Sequence, residues 1–207
     1  MTPLDDARYM DLALALARAQ QGRTAPNPAV GCVLAKHGRI IAAGATCDGG
    51  RPHAERVALD SAGPEAQGAT AYVTLEPCAH HGQTPPCADG LISARIKRVV
   101  VACQDRFPQV SGRGLARLQE AGITAEVGLR SQDAEALYAG FFSRVETGRP
   151  EIRVDARERG YDACLKAMET KAARHEILAH GAAGCNRVRV APDHPLAKTD
   201  WTKTFFA

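Results

Sequence analysis

A predicted strand runs directly into a pair of cysteines in residues 68–87, which read GATAYVTLEPCAHHGQTPPC. The apolar run 71–75 favours a strand, and residues 88–94, just after the second cysteine, favour a helix. Residues 98–103 (RVVVAC) form a continuous apolar run with a charged residue at its start, which is typical of a buried strand. This succession indicates a layered α/β domain that carries its cysteines between a strand and a helix.

The flanking sequence extends the same alternation in both directions. An N-terminal helix is predicted from a Thr2 N-cap and Pro3, with Met10, Leu14 and Ala17 on one face. A hairpin follows, with a turn at residues 36–39. The remaining predicted elements are helices at 52–62, 114–121 and 132–145 and a strand at 123–127. The order favours an α/β fold with a mostly parallel sheet.

The tail beyond Thr147-Gly148-Arg149-Pro150 has a weaker pattern. We predict a strand at 152–154, a helix at 161–175 and a strand at 187–190. The helix prediction rests on Tyr161, Leu165, Met168 and Ala172, which share a helical face. We therefore divide the chain into a domain at 1–147 and a short C-terminal extension at 148–207.

Composition and charge exclude several classes of protein. Hydrophobic residues make up 45% and charged residues 24% of the 207, which is the balance of a globular protein. The formal charge of +3 gives no support for a nucleic-acid or membrane partner. No window reaches the roughly 18 apolar residues of a membrane span. With no secretory signal and seven scattered cysteines, we expect a cytoplasmic protein with reduced or metal-bound thiols.

Residues His53, Glu55, Cys78 and Cys87 form a candidate catalytic zinc site. Histidine nitrogen and cysteine thiolates bind zinc, and three protein ligands leave a fourth position for water, whose pKa the metal lowers. Glu55, two residues after His53, can exchange protons with that water and with a leaving amine. His-x-Glu with Pro-Cys-x-x-Cys is the signature of zinc-dependent base deaminases, and this chain departs from it because eight residues rather than two precede the second cysteine. The sequence therefore predicts one zinc per chain and deaminase chemistry.

Four stretches together resemble one family. They are Thr24–Gly31 (TAPNPAVG), His53-Ala-Glu55, the segment 68–87 quoted above and Arg98–Ala102 (RVVVA). Eight residues separate Cys78 from Cys87, and the loop ends in Thr-Pro-Pro-Cys. Over roughly residues 5–150 the chain resembles the deaminase domain of the riboflavin-pathway diaminohydroxyphosphoribosylaminopyrimidine deaminases.

The resemblance implies a fold, a substrate class and two contacts. The fold is a three-layer α/β/α, cytidine-deaminase-like domain with a mixed, mostly parallel five-stranded sheet. The substrate is a 2,5-diamino-6-ribosylamino-4(3H)-pyrimidinone 5′-phosphate, a small-molecule pyrimidine ribotide. Asn27 and His80 correspond to substrate-contacting positions. The family also suggests a homo-oligomer, either a dimer or a tetramer.

Three departures from the family pattern fall at positions expected near the sugar phosphate. Family members usually carry Lys or Arg at Gln83, Asp-Pro-Asn-Pro where this chain has Asp105-Arg106-Phe107-Pro108, and in many cases His at Thr46. We count Gln83, Asp105, Arg106 and Thr46 among the candidate substrate-binding residues. Arg106 is a candidate replacement for a lost phosphate contact.

Residues 148–207 lack the features of a reductase partner. Bifunctional family members continue into a nucleotide-binding reductase domain, whereas the resemblance here fades after Pro150. No glycine-rich dinucleotide motif is present, so we predict a stand-alone deaminase that does not use NADPH. Its pathway would be riboflavin synthesis or a related, toxoflavin-like azapteridine route.

Two other functions remain open at this point. A nucleic-acid deaminase, acting on tRNA or single strands, would use the same chemistry on a flipped base. The long cysteine loop and an aromatic content of only 5% argue against it. The other alternative is a non-catalytic, zinc-stabilised binding module. Retention of Glu55 argues against that possibility.

Overall fold

The computed structural model describes residues 3–82, 84–107 and 111–201. Within them, the helices are α1 (Pro3–Ala19), α2 (Ala54–Ala62), α3 (Cys87–Ser93), α4 (Arg113–Glu120), α5 (Ser131–Thr147) and α6 (Thr170–Ala182). The strands are β1 (Gly31–Lys36), β2 (Arg39–Ala45), β3 (Thr70–Leu75), β4 (Arg98–Cys103), β5 (Thr124–Val127), β6 (Glu151–Val154), β7 (Ala163–Cys164) and β8 (Arg187–Val190). The predicted N-cap Thr2 lies outside the described residues.

The first sheet has the strand order β2-β1-β3-β4-β5. Strand β1 is antiparallel to both β2 and β3, and β3, β4 and β5 run parallel to one another. The β1–β2 turn places His37 and Gly38 at positive φ, which matches the strand twist of a tight hairpin. The mixed sheet expected from the family resemblance is confirmed.

Helices cover both faces of the first sheet. Helices α1 and α5 touch each other and the sheet on one face, while α2, α3 and α4 follow one another across the other face. The predicted face of α1 is confirmed, because Met10, Leu14 and Ala17 are all buried. Helix α1 packs so closely on β1 that a Cβ at Gly31 would lie 1.9 Å from the Ala13 carbonyl oxygen. The α/β/α layering is therefore confirmed.

One edge of the first sheet collects the ends of four strands. The carboxyl ends of the parallel strands β3 and β4 lie together there. Because β1 runs antiparallel to β2 and β3, its first residue, Gly31, meets Ala45 at the end of β2 and Thr74 near the end of β3. Loops leaving these ends converge, which brings residues distant in sequence to one place.

A second sheet with the order β6-β8-β7 is formed by residues of the C-terminal extension, and all its strand pairs are parallel. It has a core of its own, formed by Leu165, Ala173, Ile177, Val188 and Val190. Among the described helices of the chain, none has the length and hydropathy of a membrane span.

The prediction of a helix at 161–175 is wrong. Ala163–Cys164 instead forms β7 beside β8, and the Leu165 N–H donates to the Arg189 carbonyl at 2.8 Å. The helix of this region, α6, begins later, at Thr170. Pairing with a strand formed more than twenty residues downstream overrides the local helical spacing.

Candidate active site

The three predicted metal ligands come from the loops at the converging strand ends. His53 is the residue before α2, Cys78 follows β3, and Cys87 is the first residue of α3. The Nδ1 atom of His53 lies 3.8 Å from Cys78 Sγ and 3.4 Å from Cys87 Sγ. All three ligand atoms lie within 4.8 Å of one another. The structure thus brings together residues that are up to 34 positions apart.

These spacings fit a tetrahedral zinc ion. Zn–S bonds of about 2.3 Å and Zn–N bonds of about 2.0–2.1 Å place the nitrogen and sulfur of a tetrahedral site about 3.5 Å apart. The two observed N···S distances lie close to this value on either side. In the described part of the chain, no other group of at least three His, Cys, Asp or Glu side chains has ligand atoms this close together. The donor set is thus suited to zinc with one open position.

The pKa values of the two thiols are shifted in opposite directions. A hydrogen bond from the Cys87 thiol lowers the pKa of Cys78 to about 4, and the Cys87 backbone N–H also donates to Cys78 Sγ, at 3.3 Å. The same bond, together with burial, raises the pKa of Cys87. The Cys78 sulfur also raises the pKa of His53. The lowered pKa of Cys78 favours its thiolate, the form of cysteine that binds a metal ion.

Glu55 is a buried carboxyl group beside the ligands. It lies in the first turn of α2, two residues after His53, and only 3% of its surface is exposed. Burial, and then the negative charge of Cys78, raise the pKa of Glu55 to about 7. A carboxyl group with a pKa near neutrality can both accept and return a proton at physiological pH.

Glu55, His53 and Cys78 open onto a cavity of about 240 Å³. Four predicted substrate-binding residues line the same cavity: Asn27, Thr46, His80 and Asp105. This cavity reaches past the metal ligands, so a molecule larger than water can approach Glu55.

The lining residues are held in place by short-range contacts. Asn27 Nδ2 donates to the Gly50 carbonyl at 2.8 Å and lies 3.4 Å from His53 Nε2. The Thr46 hydroxyl accepts from the Val30 N–H at 3.0 Å. Burial raises the pKa of Asp105 to about 6.

His80 differs from these residues because its Nδ1 atom is buried without a hydrogen-bond partner among the described residues. The ring also lies 6.2 Å from that of Phe107, measured between centroids. Buried polar atoms are normally hydrogen-bonded, and a hydrogen bond from a ligand would satisfy this one.

The two remaining predicted contacts are not placed in the cavity by the structure. Arg106 is absent from its lining; its guanidinium lies 4.6 Å from the centre of the Phe142 ring and 3.4 Å from Glu146. Gln83 lies outside the described residues. Both stay sequence predictions.

Sequence reasoning gave no role to Glu76 or Arg144, which also line the cavity. The Glu76 carboxylate accepts backbone N–H groups from Asp105, Gly112, Gly114 and Leu115, at 2.9–3.3 Å. It therefore fixes the segment that carries Asp105. The sequence feature that could have indicated a role for Glu76 is its position directly before Pro77-Cys78. Arg144 belongs to the Phe-Phe-x-Arg stretch of α5, and nothing local pointed it towards the metal site.

Known proteins have sequences similar to that of this chain. Residues 4–103 match the family described as "Cytidine and deoxycytidylate deaminase zinc-binding region". The chain is 54% identical over 151 residues to the Escherichia coli riboflavin biosynthesis protein RibD, covering 73% of this chain and 41% of that protein. It is 43% identical over 147 residues to the diaminohydroxyphosphoribosylamino-pyrimidine deaminase of Buchnera aphidicola, covering 71% of this chain and 100% of the relative.

A solved structure extends the similarity further along the chain. Acinetobacter baumannii RibD superposes with a TM-score of 0.70 at 42% identity, covering 84% of this chain and 51% of that one. This coverage exceeds the share matched by either sequence relative, so part of the C-terminal extension is included. The chain spans about two fifths of the length of the RibD relatives from Escherichia coli, Haemophilus influenzae and Aquifex aeolicus.

Proposed function

Because the chain belongs to the diaminohydroxyphosphoribosylaminopyrimidine deaminase family, we propose that it hydrolyses an exocyclic amine of 2,5-diamino-6-ribosylamino-4(3H)-pyrimidinone 5′-phosphate. The observation that carries this proposal is a buried carboxyl group, Glu55, beside a three-ligand His/Cys/Cys site that opens onto a cavity. A site that served only to stabilise the fold would need neither the open position nor the acid.

His53, Cys78 and Cys87 would hold the zinc ion, with His53 binding through Nδ1. When bound, zinc polarises a water molecule and lowers its pKa towards neutrality. The protein contributes three ligands and the buried carboxyl group of Glu55, which would accept the proton of the reacting water.

Glu55 carries the proton transfers. Its carboxylate accepts a proton from the attacking water and returns it to the ring nitrogen next to the carbon under attack. A second transfer through the same group protonates the amine, the C–N bond breaks, and ammonia leaves as the new C=O bond forms. One water is consumed for each ammonia released, so atoms and protons balance.

Asn27, Thr46, His80 and Asp105 are proposed to bind the substrate. Their support is a shared cavity with Glu55 and, for His80, a buried Nδ1 that lacks a partner among the described residues. Asp105 and His80 offer groups that can match the amino and carbonyl edges of a pyrimidine.

The test of this function is direct. The zinc-loaded chain is expected to release one ammonia per pyrimidine ribotide consumed, with a shift in the ultraviolet absorbance of the ring. Cytidine, dCMP and a single-stranded oligonucleotide serve as competing substrates. Preferential turnover of the oligonucleotide would replace the proposal with a nucleic-acid deaminase, and a fully zinc-loaded chain without turnover on any of them would favour the binding module.

A second expectation concerns the reductase half of the bifunctional relatives. We propose that residues 1–147 form the deaminase domain and that residues 148–207 contribute no NADPH-binding site. The 207-residue chain is therefore expected to leave NADPH absorbance at 340 nm unchanged, both alone and together with the deaminated product. NADPH consumption that depends on this product would contradict the single-activity proposal.

The names of the relatives refer to riboflavin biosynthesis. We propose that the substrate of this chain, the pyrimidine ribotide, is a precursor in that pathway. A riboflavin route and an azapteridine route would share this reaction. Cytoplasmic location and a homo-oligomeric state stay predictions from the sequence.

A further inference from the structure

Two arginines line the active-site cavity without a carboxylate partner among the described residues, Arg51 and Arg144. Both side chains are half-buried, and a guanidinium without an acid partner can form charge-assisted hydrogen bonds with a bound anion. Arg106, the phosphate contact predicted from the sequence, already has Glu146. The cavity wall therefore presents positive charge that no acid of the described chain neutralises directly.

Arg144 is held rigidly by neutral groups. Its Nε donates to Asn186 Oδ1 at 2.7 Å, and one Nη donates to the Pro26 carbonyl, also at 2.7 Å. The guanidinium carbon lies 5.6 Å from the centre of the Phe141 ring. These contacts fix the direction of the guanidinium, and none of them is with an acid. Burial accordingly lowers the pKa of Arg144.

Asp162, an acid of the C-terminal extension, forms its hydrogen bonds with other groups. Asp162 accepts the backbone N–H groups of Asn186 and Arg187, at 2.7 and 2.9 Å, and so shapes the start of β8. Asn186 in turn donates from Nδ2 to the Asn27 carbonyl at 3.3 Å. One side chain of the C-terminal extension thus connects Arg144 with the Asn27 loop of the active site.

A ribotide carries its phosphate at a distance from the reacting ring. An amine, a ribose and a methylene group separate the phosphate from the pyrimidine, so the phosphate must lie well away from the metal ligands. Arg51 lies two residues before His53 and donates to the Thr84 hydroxyl in the loop before Cys87 at 2.8 Å, which places Arg51 at the metal end. Arg144 comes from α5, and its hydrogen-bond partners include no metal ligand.

We propose that Arg144 binds the phosphate of the substrate and that Asn186, from the C-terminal extension, is the residue that positions it. This inference rests on the proposed function. It gives the extension a role in substrate selection, in a chain whose cysteine loop carries Gln83 where the family usually has a basic residue.

The experiment compares kcat/KM for the ribotide and for its dephosphorylated form. The parent chain is expected to prefer the ribotide. Arg144→Gln should lower kcat/KM for the ribotide by about 10- to 150-fold, mainly through KM, because a charge-assisted contact is lost. Activity on the dephosphorylated form should persist and shows that the variant is folded. Arg144→Lys should restore part of the preference, and Arg117→Gln, which removes a surface arginine of α4, serves as the charge-matched control.

Asn186 is tested by a double-mutant cycle. Asn186→Ala should raise KM for the ribotide alone, and should add nothing to that loss in the Arg144→Gln background, because both changes remove one contact. Arg106→Gln is run in the same assay. A phosphate preference that survives Arg144→Gln, disappears only in Arg106→Gln or is absent from the parent would overturn the inference. Failure of the parent on both compounds would instead count against the proposed function.

Discussion

Replacing Glu55 with glutamine is expected to reduce kcat by about 10²- to 10⁴-fold while the protein keeps its zinc. The amide has the shape of the carboxyl group but cannot accept the proton of the attacking water. Glu55 is not a metal ligand in the proposed site, and its side chain lines the cavity next to His53 and Cys78. The Glu55→Gln variant should therefore keep its metal content and lose most of its turnover.

The fold should also survive this change. Burial raises the pKa of Glu55 to about 7, so in metal-free protein its ionisation favours the unfolded state as pH rises above the unfolded value of about 4.3. A neutral amide removes that penalty, and the melting temperature of the metal-free Glu55→Gln chain at pH 8 should not fall below that of the parent. Glu120→Gln, an exposed change at the end of α4, is the matched control. Unchanged kcat would remove Glu55 from the mechanism.

Local sequence predicted the first sheet well where its signals were strong. Strand β4 has the predicted bounds because an uninterrupted apolar run, Arg98–Cys103, fits only a buried strand. The hairpin turn was predicted at residues 36–39, which include Gly38, and in the second sheet β8 has the predicted bounds, Arg187–Val190. In each case a short segment carries its own structural preference.

The C-terminal helix could not be placed in the same way. Leu165 and Met168 were assigned to one helical face, yet Leu165 is buried beside β8 whereas Met168 is 59% exposed. Which of them is buried depends on strand pairing between β7 and β8, which are separated by the whole of α6. The local sequence of residues 161–175 gives no indication that β8 is the pairing partner of β7.

In the candidate site too, some residues could be predicted from the sequence and others could not. His53, Cys78, Cys87 and Glu55 were found from their spacing, because ligand chemistry restricts the residue types that can serve. The role of Arg144 was missed because its acceptors, the Pro26 carbonyl and Asn186, lie 118 and 42 residues away in sequence. Contacts between residues this far apart in sequence can be identified only in the folded structure.

Removal of a metal ligand is expected to have the largest effect. Cys87→Ala and His53→Ala should each abolish stoichiometric zinc binding and reduce turnover by at least about 10³-fold, because the activation of water supplied by the metal is worth several kcal/mol. Since the first sheet has an extensive core without the metal, both variants should still fold. Cys164→Ser, which changes an exposed thiol, is the matched control and should keep both zinc and activity.

Zinc binding should also depend on pH with a predictable sign. The pKa values of Cys87 and His53 are both raised in the metal-free site, and zinc must displace the protons that they hold. The apparent affinity, measured by competition with a chromophoric chelator, should therefore increase from pH 6 to pH 8. Added zinc should raise the melting temperature of the parent and leave that of Cys87→Ala unchanged, because only the folded ligand set binds it. A zinc-dependent rise in the Cys87→Ala chain would show that the ion is held by other residues.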